Sequence, residues 1–151
     1  MIRQEQHKLY YSKNPSEDIS NALNHHDFEV RRAALFHKDV EPHHIMTGLN
    51  HEHEWTKYDA ASVMSRRPHL QTDENLNKAL SDPDDGVRLP ASYSANLSEK
   101  HLKKMALDDN MNVALNAIRH KNTTKAVLLK SLRHPMEYIA SSAQKRLETI
   151  K

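Results

Sequence analysis

The chain has 151 residues, a formal net charge of +2, 37% apolar residues, two glycines and no cysteine. The absence of cysteine excludes disulfides, iron–sulfur clusters and thiol chemistry. With so few glycines, a phosphate-cradling loop is hard to build. The apolar fraction is low for one central core, but it suits stacked repeats that bury only the faces they share. We therefore predict one all-α domain over residues 1–151, with no β-sheet.

Charge is distributed unevenly along the chain. Residues 1–96 contain 11 Lys+Arg against 15 Asp+Glu, whereas residues 97–151 contain 11 against 5. Nine of the twelve histidines lie at or before His69. No stretch approaches the roughly 18 apolar residues of a membrane span, and the first residues lack the apolar core of a secretory signal. We expect a cytoplasmic protein that does not enter a membrane.

A leucine recurs near the end of each predicted second helix. The five leucines are separated by 26, 31, 27 and 25 residues: Leu23, Leu49, Leu80, Leu107 and Leu132. A polar turn follows each one, and about eleven residues later comes a small or apolar residue that permits close helix packing. These residues are Ala34, Ala60, Ala91, Ile118 and Ala143. The pattern predicts helical repeats at residues 7–23, 24–49, 50–80, 81–107 and 108–132, then a capping helix at 135–150.

Each second helix has a start signal of capping residues or proline. The signals are Asn14-Pro15-Ser16, Glu41-Pro42, Thr72-Asp73-Glu74, Asn96-Leu97-Ser98 and Asn122-Thr123-Thr124. Two places are irregular. The long step between Leu49 and Leu80 predicts a bulged loop around residues 65–69. Pro90 lies inside a predicted helix, which must begin late, near Gly86 or Val87, or be kinked.

Three segments carry a family resemblance: Asp27-x-x-Val30-Arg31-x-x-Ala34, Asp84-x-x-Val87-Arg88-x-x-Ala91 and Asn14-Pro15-Ser16. They resemble leucine-rich repeat variant (LRV) repeats, which are close relatives of HEAT-like repeats, and the likeness covers roughly residues 7–147. The resemblance implies a right-handed α-solenoid of about five repeats that acts as a binding scaffold.

The resemblance also implies that Arg31 and Arg88 bond to an aspartate of an adjacent turn, with Asp27, Asp84 and Asp85 as candidates. The founding LRV protein carries a cysteine-ligated iron–sulfur cluster. This chain has no cysteine, so that feature does not carry over and we expect no cofactor.

Two inter-repeat turns are rich in histidine. His25 and His26 lie in one turn and His51 and His53 in the next, and equivalent turns of stacked repeats lie about 10 Å apart. One interpretation is a Zn²⁺ or Ni²⁺ site or a proton-sensitive site that controls assembly. The other is that these histidines are solvated surface residues.

The C-terminal third contains most of the candidate binding residues. If aligned on one face, its basic side chains would track a phosphate backbone: Lys100, Lys103, Lys104, Arg119, Lys121, Lys125 and Arg133. Sparse aromatics weigh against nucleic acid, and the one aromatic pair in a turn and helix start, Trp55 with Tyr58, is a candidate for partner binding.

No catalytic motif stands out, so we do not expect an enzyme. We expect a protein–protein interaction scaffold whose concave face binds a protein partner. A nucleic-acid-binding protein is the first alternative, and a metal- or pH-responsive assembly is the second.

Overall fold

The computed structural model describes residues 2–150, and within that range it contains eleven α-helices, one 3₁₀ turn and no strand. The helices are α1 Ile2–Tyr10, α2 Pro15–Leu23, α3 Phe28–Leu35, α4 Pro42–Leu49, α5 Glu54–Arg66, α6 Asp73–Leu80, α7 Asp85–Ala91, α8 Glu99–Met105, α9 Met111–Arg119, α10 Lys125–Ser131 and α11 Glu137–Thr149. The 3₁₀ turn, Pro68–Leu70, lies between α5 and α6. The prediction of an all-α protein is confirmed.

The helices form two series. The odd-numbered helices contact one another in chain order from α1 to α11, and the even-numbered helices do the same from α2 to α10. Each even helix also packs against the odd helix that follows it. Within residues 2–150, no helix is both long enough and apolar enough to pass through a bilayer.

The start signals of the even helices are confirmed. The N-cap residues are Asn14, Glu41, Thr72, Ser98 and Thr124. Thr72 accepts a hydrogen bond from Asn75 N–H, and Thr124 accepts one from Val127 N–H. These bonds satisfy amides that have no partner inside the helix.

The N-caps of the odd helices are more regularly spaced than the five leucines of the sequence pattern. Their N-caps are 26, 31, 26 and 26 residues apart: Asp27, His53, Asp84, Asn110 and Met136. Seven residues after each N-cap stands an alanine with 0% exposure: Ala34, Ala60, Ala91, Ala117 and Ala143. The predicted small-residue position at Ile118 is therefore wrong by one residue.

The same shift affects the fourth leucine. Leu107 is 42% exposed, whereas Ala106 is fully buried in the position that Leu23, Leu49 and Leu80 occupy in other repeats. Helix α8 ends at Met105, so Leu107 lies in the turn beyond it. Apolar character alone did not distinguish the two neighbours, because alanine and leucine both fit an apolar pattern.

The long repeat is accommodated by structured backbone where we expected a bulged loop. Helix α5 has 13 residues against 8 in α3, and the 3₁₀ turn follows it. Leu70 of that turn is fully buried. The buried Gln71 side chain donates to the carbonyls of Met64 and Ser65 at 3.0 and 3.1 Å. The extra residues are thus held in place by packing and hydrogen bonds.

Helix α7 begins at Asp85, earlier than expected, with Pro90 inside it. Proline removes one main-chain donor and clashes with the turn before it. The helix ends one residue later, at Ala91, so little helix lies beyond the missing bond.

Candidate interaction surfaces

A side-chain acceptor lies two residues before each odd-helix N-cap from α3 to α11. It accepts a hydrogen bond of 2.9–3.0 Å from the N–H of the N-cap residue. The acceptors are His25 Nδ1, His51 Nδ1, Asp82 Oδ1, Asp108 Oδ1 and His134 Nδ1. Histidine and aspartate serve the same purpose here, which is to fix the turn that starts the next helix. The sequence carried this signal, because an acceptor recurs two residues before each cap.

Another pair of histidines closes the N-termini of even helices. His44 Nδ1 accepts from Glu41 N–H at 2.9 Å, and His101 Nδ1 accepts from Ser98 N–H at 3.0 Å. The Nε2 atom of each ring reaches the preceding even helix, where His44 meets the Ser16 carbonyl and His101 meets an Asp73 carboxylate oxygen, both at 2.9 Å. These rings therefore tie successive even helices together.

Asn75 occupies the position in α6 that His44 and His101 occupy in α4 and α8, and it makes a similar link without a titratable group. Asn75 is buried and donates to the Pro42 carbonyl at 3.0 Å and to the Leu70 carbonyl at 2.9 Å. An amide is thus compatible with this position of the repeat.

Seven of the twelve histidines accept a backbone N–H at Nδ1: His25, His37, His44, His51, His101, His120 and His134. An Nδ1 atom that accepts carries no proton, so in this arrangement the ring N–H lies at Nε2. In four of them Nε2 lies 2.7–2.9 Å from a main-chain carbonyl, to which it donates. Protonating Nδ1 would place a hydrogen against an N–H donor.

Burial lowers the pKa of three of these rings, His44, His51 and His101, below the ordinary value of 6.5. The positive charge of Arg31 lowers the pKa of His51 further. Asp73 opposes the decrease at His101. Desolvation lowers the pKa because it penalises the charged imidazole, whereas the hydrogen bond from His44 to the Ser16 carbonyl opposes the decrease at His44.

The four histidines proposed as metal ligands are not gathered into one ligand group. His25 and His51 use Nδ1 in their turns, the rings of His25 and His26 stack at 4.3 Å, and His53 stacks on Phe28 at 6.0 Å. Only His25 and His51 bond within their own turns, and no three of the four rings form a group with ligand atoms within 4.8 Å.

In the described part of the chain, one group of three has ligand atoms within 4.8 Å of one another: Glu41, His43 and His44. Both nitrogens of His44 already bond to protein groups. That leaves two residues to hold an ion, and we assign no metal to the group.

Arg88 joins two successive inter-repeat turns. Its guanidinium pairs with Asp108 at 2.9 Å and with Asp109 at 2.9 Å. It also donates to the carbonyls of Asp82 and Pro83, both at 2.9 Å. The hydrogen bond to Asp108 raises the pKa of Arg88, so this cation is fixed in place.

Arg31 occupies the equivalent position but has different partners. It is 4% exposed and donates to Thr56 Oγ1 at 2.9 Å and to the carbonyls of His25 and His26 at 2.8 and 3.0 Å. Like Arg88, it connects its own turn to the following repeat.

Arg88 does bond to aspartates of an adjacent turn, Asp108 and Asp109, whereas Arg31 bonds to Thr56. The aspartates named as candidates have other roles, so that part of the prediction is wrong. Asp27 and Asp84 cap their own helices by accepting from Glu29 N–H and Gly86 N–H at 2.8 Å. Asp85 accepts from the Asn110 side chain. An N-cap side chain turns back to its own helix, whereas the arginine reaches forward to the next repeat.

A double-mutant cycle will test the link made by Arg88. We expect a coupling energy of about 1–2 kcal/mol between Arg88→Ala and Asp108→Ala, because both groups are largely shielded from water. The exposed pair Lys38 and Asp39, 3.1 Å apart, is the control and should give no more than about 0.5 kcal/mol. Urea denaturation measures all the variants, and equal coupling in both pairs would contradict the assignment.

The aromatic pair divides into one structural and one surface residue. The Tyr58 hydroxyl donates to Asp84 at 2.5 Å, which raises the pKa of Tyr58 to about 12. Its ring covers Gly86, where an added Cβ would lie 2.7 Å from Tyr58 Cε1. Trp55 is 57% exposed, and its ring centroid lies 5.5 Å from that of Tyr58. Only Trp55 remains available to a partner.

The predicted basic residues lie on different parts of the molecule. Lys100, Lys103 and Lys104 belong to α8, Lys125 begins α10, Lys121 lies between α9 and α10, and Arg133 follows α10. Arg119 ends α9 and lines a groove with Lys145 and Arg146 of α11. Arg119 thus belongs to the side of the odd helices, away from the α8 lysines.

The sequence interpretation missed Leu129 as a surface residue. It is 57% exposed, whereas Val127 and Leu128 beside it are fully buried. A run of three apolar residues in a helix flanked by solvent cannot bury all its members on one face, which was the available signal.

Comparisons with protein family models, with curated proteins and with solved structures found no match for this chain. The functional proposal therefore depends on the contacts and surfaces described above.

Proposed function

We propose that this protein is a non-catalytic scaffold that binds a partner protein on the surface of a right-handed α-solenoid of about five LRV/HEAT-like repeats. The successive contacts of odd helices with odd helices, and even with even, support this arrangement. Neighbouring repeats share their apolar faces, so the outer sides of both series remain for binding.

The observation that carries the proposal is the use of titratable side chains inside the stack. His44, Arg31 and Arg88 all hydrogen-bond from one repeat to another, and His101 Nε2 lies 2.9 Å from an Asp73 carboxylate oxygen of the preceding even helix. Groups that often perform acid–base chemistry are thereby committed to holding the repeats in register. A surface fixed in this way is preformed, which lowers the entropy cost of binding a partner.

Nucleic-acid binding is the second candidate, and one observation favours it. No Asp or Glu occurs between Met111 and Met136, whereas this segment contains Arg119, Lys121, Lys125, Lys130 and Arg133. A strongly basic segment attracts phosphate and gives binding that weakens steeply with salt.

Affinity purification from a cell lysate, with and without nuclease, separates the two candidates. We expect a discrete protein recovered equally from both samples, and the purified partner should bind the chain in a defined ratio by isothermal titration calorimetry. Recovery that disappears after nuclease treatment would overturn the scaffold proposal. Material bound equally by a heat-denatured sample would show that the capture is non-specific.

A further inference from the structure

The outer side of α8 and α10 carries cations together with exposed leucines. Lys100, Lys104 and Leu107 follow one another at spacings of four and three residues, which places them on one side of α8 and the turn after it. Helix α10 contacts α8 and contributes Leu129 and Lys130, and Arg133 lies in the turn that follows α10. We call this set the basic leucine face: Lys100, Lys104, Leu107, Leu129, Lys130 and Arg133.

Both leucines of the basic leucine face are partly exposed. Leu107 is 42% exposed and Leu129 is 57% exposed. Covering the exposed part of a leucine side chain stabilises a complex. Two such side chains beside cationic groups therefore provide apolar contacts for a partner.

Two acidic residues, Asp108 and Asp109, directly follow Leu107 of the basic leucine face, and both pair with Arg88. Glu99 is the acidic residue of α8, and it pairs with Lys103 at 2.9 Å. Hydrogen bonds from Thr124 and Lys103 lower the pKa of Glu99, so it stays ionised and serves that pair. Helix α10 contains no acidic residue. The complementary partner is therefore acidic.

The apolar residues of this face favour a protein segment over a nucleic acid. No Phe, Tyr or Trp occurs between Ser94 and Glu137. Proteins that hold single-stranded nucleic acid stack its bases on aromatic rings. Leucines are instead suited to apolar side chains at helical spacing, as in the binding of an amphipathic helix to a groove.

We propose that the basic leucine face binds an acidic amphipathic segment of a partner protein, with carboxylates opposite its cations and apolar side chains on Leu107 and Leu129. The inference rests on the scaffold function proposed above and specifies the surface and the chemistry of the partner. Charge attraction orients the segment and speeds its association, while the leucines provide the apolar contact.

Selection from a library of short random peptides displayed on phage tests the inference with the purified chain as bait. We expect the enriched peptides to be net negative, with apolar residues three or four positions apart. Binding of the synthesised peptides is then measured by fluorescence anisotropy. Lys100→Glu with Lys104→Glu should weaken it by about tenfold or more, and Leu129→Ser by about fivefold.

A matched control has the same change of charge on the other side of the molecule. Lys145→Glu with Arg146→Glu alters two exposed residues of α11 and should leave the affinity within about twofold. Circular dichroism melts of all variants show that each is folded at the assay temperature.

Different results have different consequences. Peptides that are not acidic, or that bind equally well to the Lys100→Glu/Lys104→Glu variant, overturn the basic leucine face but leave a protein-binding scaffold intact. Failure to enrich any peptide, together with salt-sensitive binding of a thymidine oligonucleotide that this variant loses, overturns both the inference and the scaffold function. Binding of neither probe overturns the inference, and the lysate experiment then decides the function.

Discussion

Replacing Leu80 by alanine will lower the free energy of unfolding by about 2–5 kcal/mol, whereas replacing Leu107 by alanine will change it by less than about 0.5 kcal/mol. The two leucines have the same place in the sequence pattern. Leu80 ends α6 with 4% exposure, and Leu107 lies in a turn with 42% exposure. Truncating a buried leucine loses its transfer free energy and leaves a cavity, and neither cost applies at the exposed site.

Urea denaturation of both variants is followed by far-ultraviolet circular dichroism, which reports helix content. The slope of each transition should match that of the wild-type protein, which shows that the unfolded states are comparable. A large decrease in the free energy of unfolding for Leu107→Ala would mean that the register of α8 and its turn differs from the one described.

Acidification from about pH 6.5 will destabilise the protein as it approaches the lowered pKa values of three histidines. His44, His51 and His101 have pKa values below the ordinary 6.5 in the folded state. The unfolded chain therefore takes up protons first as the pH falls, and the stability present above about pH 6.5 is progressively lost. The free energy of unfolding should therefore decrease as the pH falls from about 7.5 to about 5.

The repeats themselves supply the control variants for this prediction. His44→Asn and His101→Asn introduce the residue found at the equivalent position of α6, where Asn75 bonds to the preceding repeat. His51→Asp introduces the residue used in later turns, such as Asp82. The triple variant should fold at about pH 7.5 and lose less stability on acidification, because these three groups no longer titrate near neutral pH.

Urea denaturation at about pH 7.5 and about pH 5 measures both proteins under otherwise identical conditions. Identical losses of unfolding free energy in the wild-type and triple-variant proteins would show that these rings do not control the acid response. The experiment also tests the hypothesis of a pH-responsive protein, because it measures whether protonation of these histidines changes the free energy of unfolding.

Most of the local structure was predictable because it depends on neighbours in the chain. Proline at the first helical position, as at Pro15 and Pro42, and hydroxyl caps such as Thr72 and Thr124 define helix starts through bonds that span a few residues. The register was less secure at Ala106 and Leu107, because periodicity identifies an apolar side of a helix more reliably than a particular residue.

The candidate surfaces depended more heavily on packing. The basic segment was visible in the sequence, but its division between the α8–α10 side and the groove at Arg119 required the positions of whole helices. The exposure of Leu129 likewise followed from which side of α10 faces its neighbours.

The sequence by itself determined the helical class, the starts of the even helices and the excess of positive charge near the C-terminus, since each follows from composition or from contacts within a few residues. Only the tertiary structure decided what the histidines and arginines do. Arg88 meets Asp108 twenty residues away, and His44 meets Ser16 twenty-eight residues away. Such partners are selected by the packing of helix against helix, which places groups that are distant in the chain within hydrogen-bonding distance, and no local pattern encodes that distance.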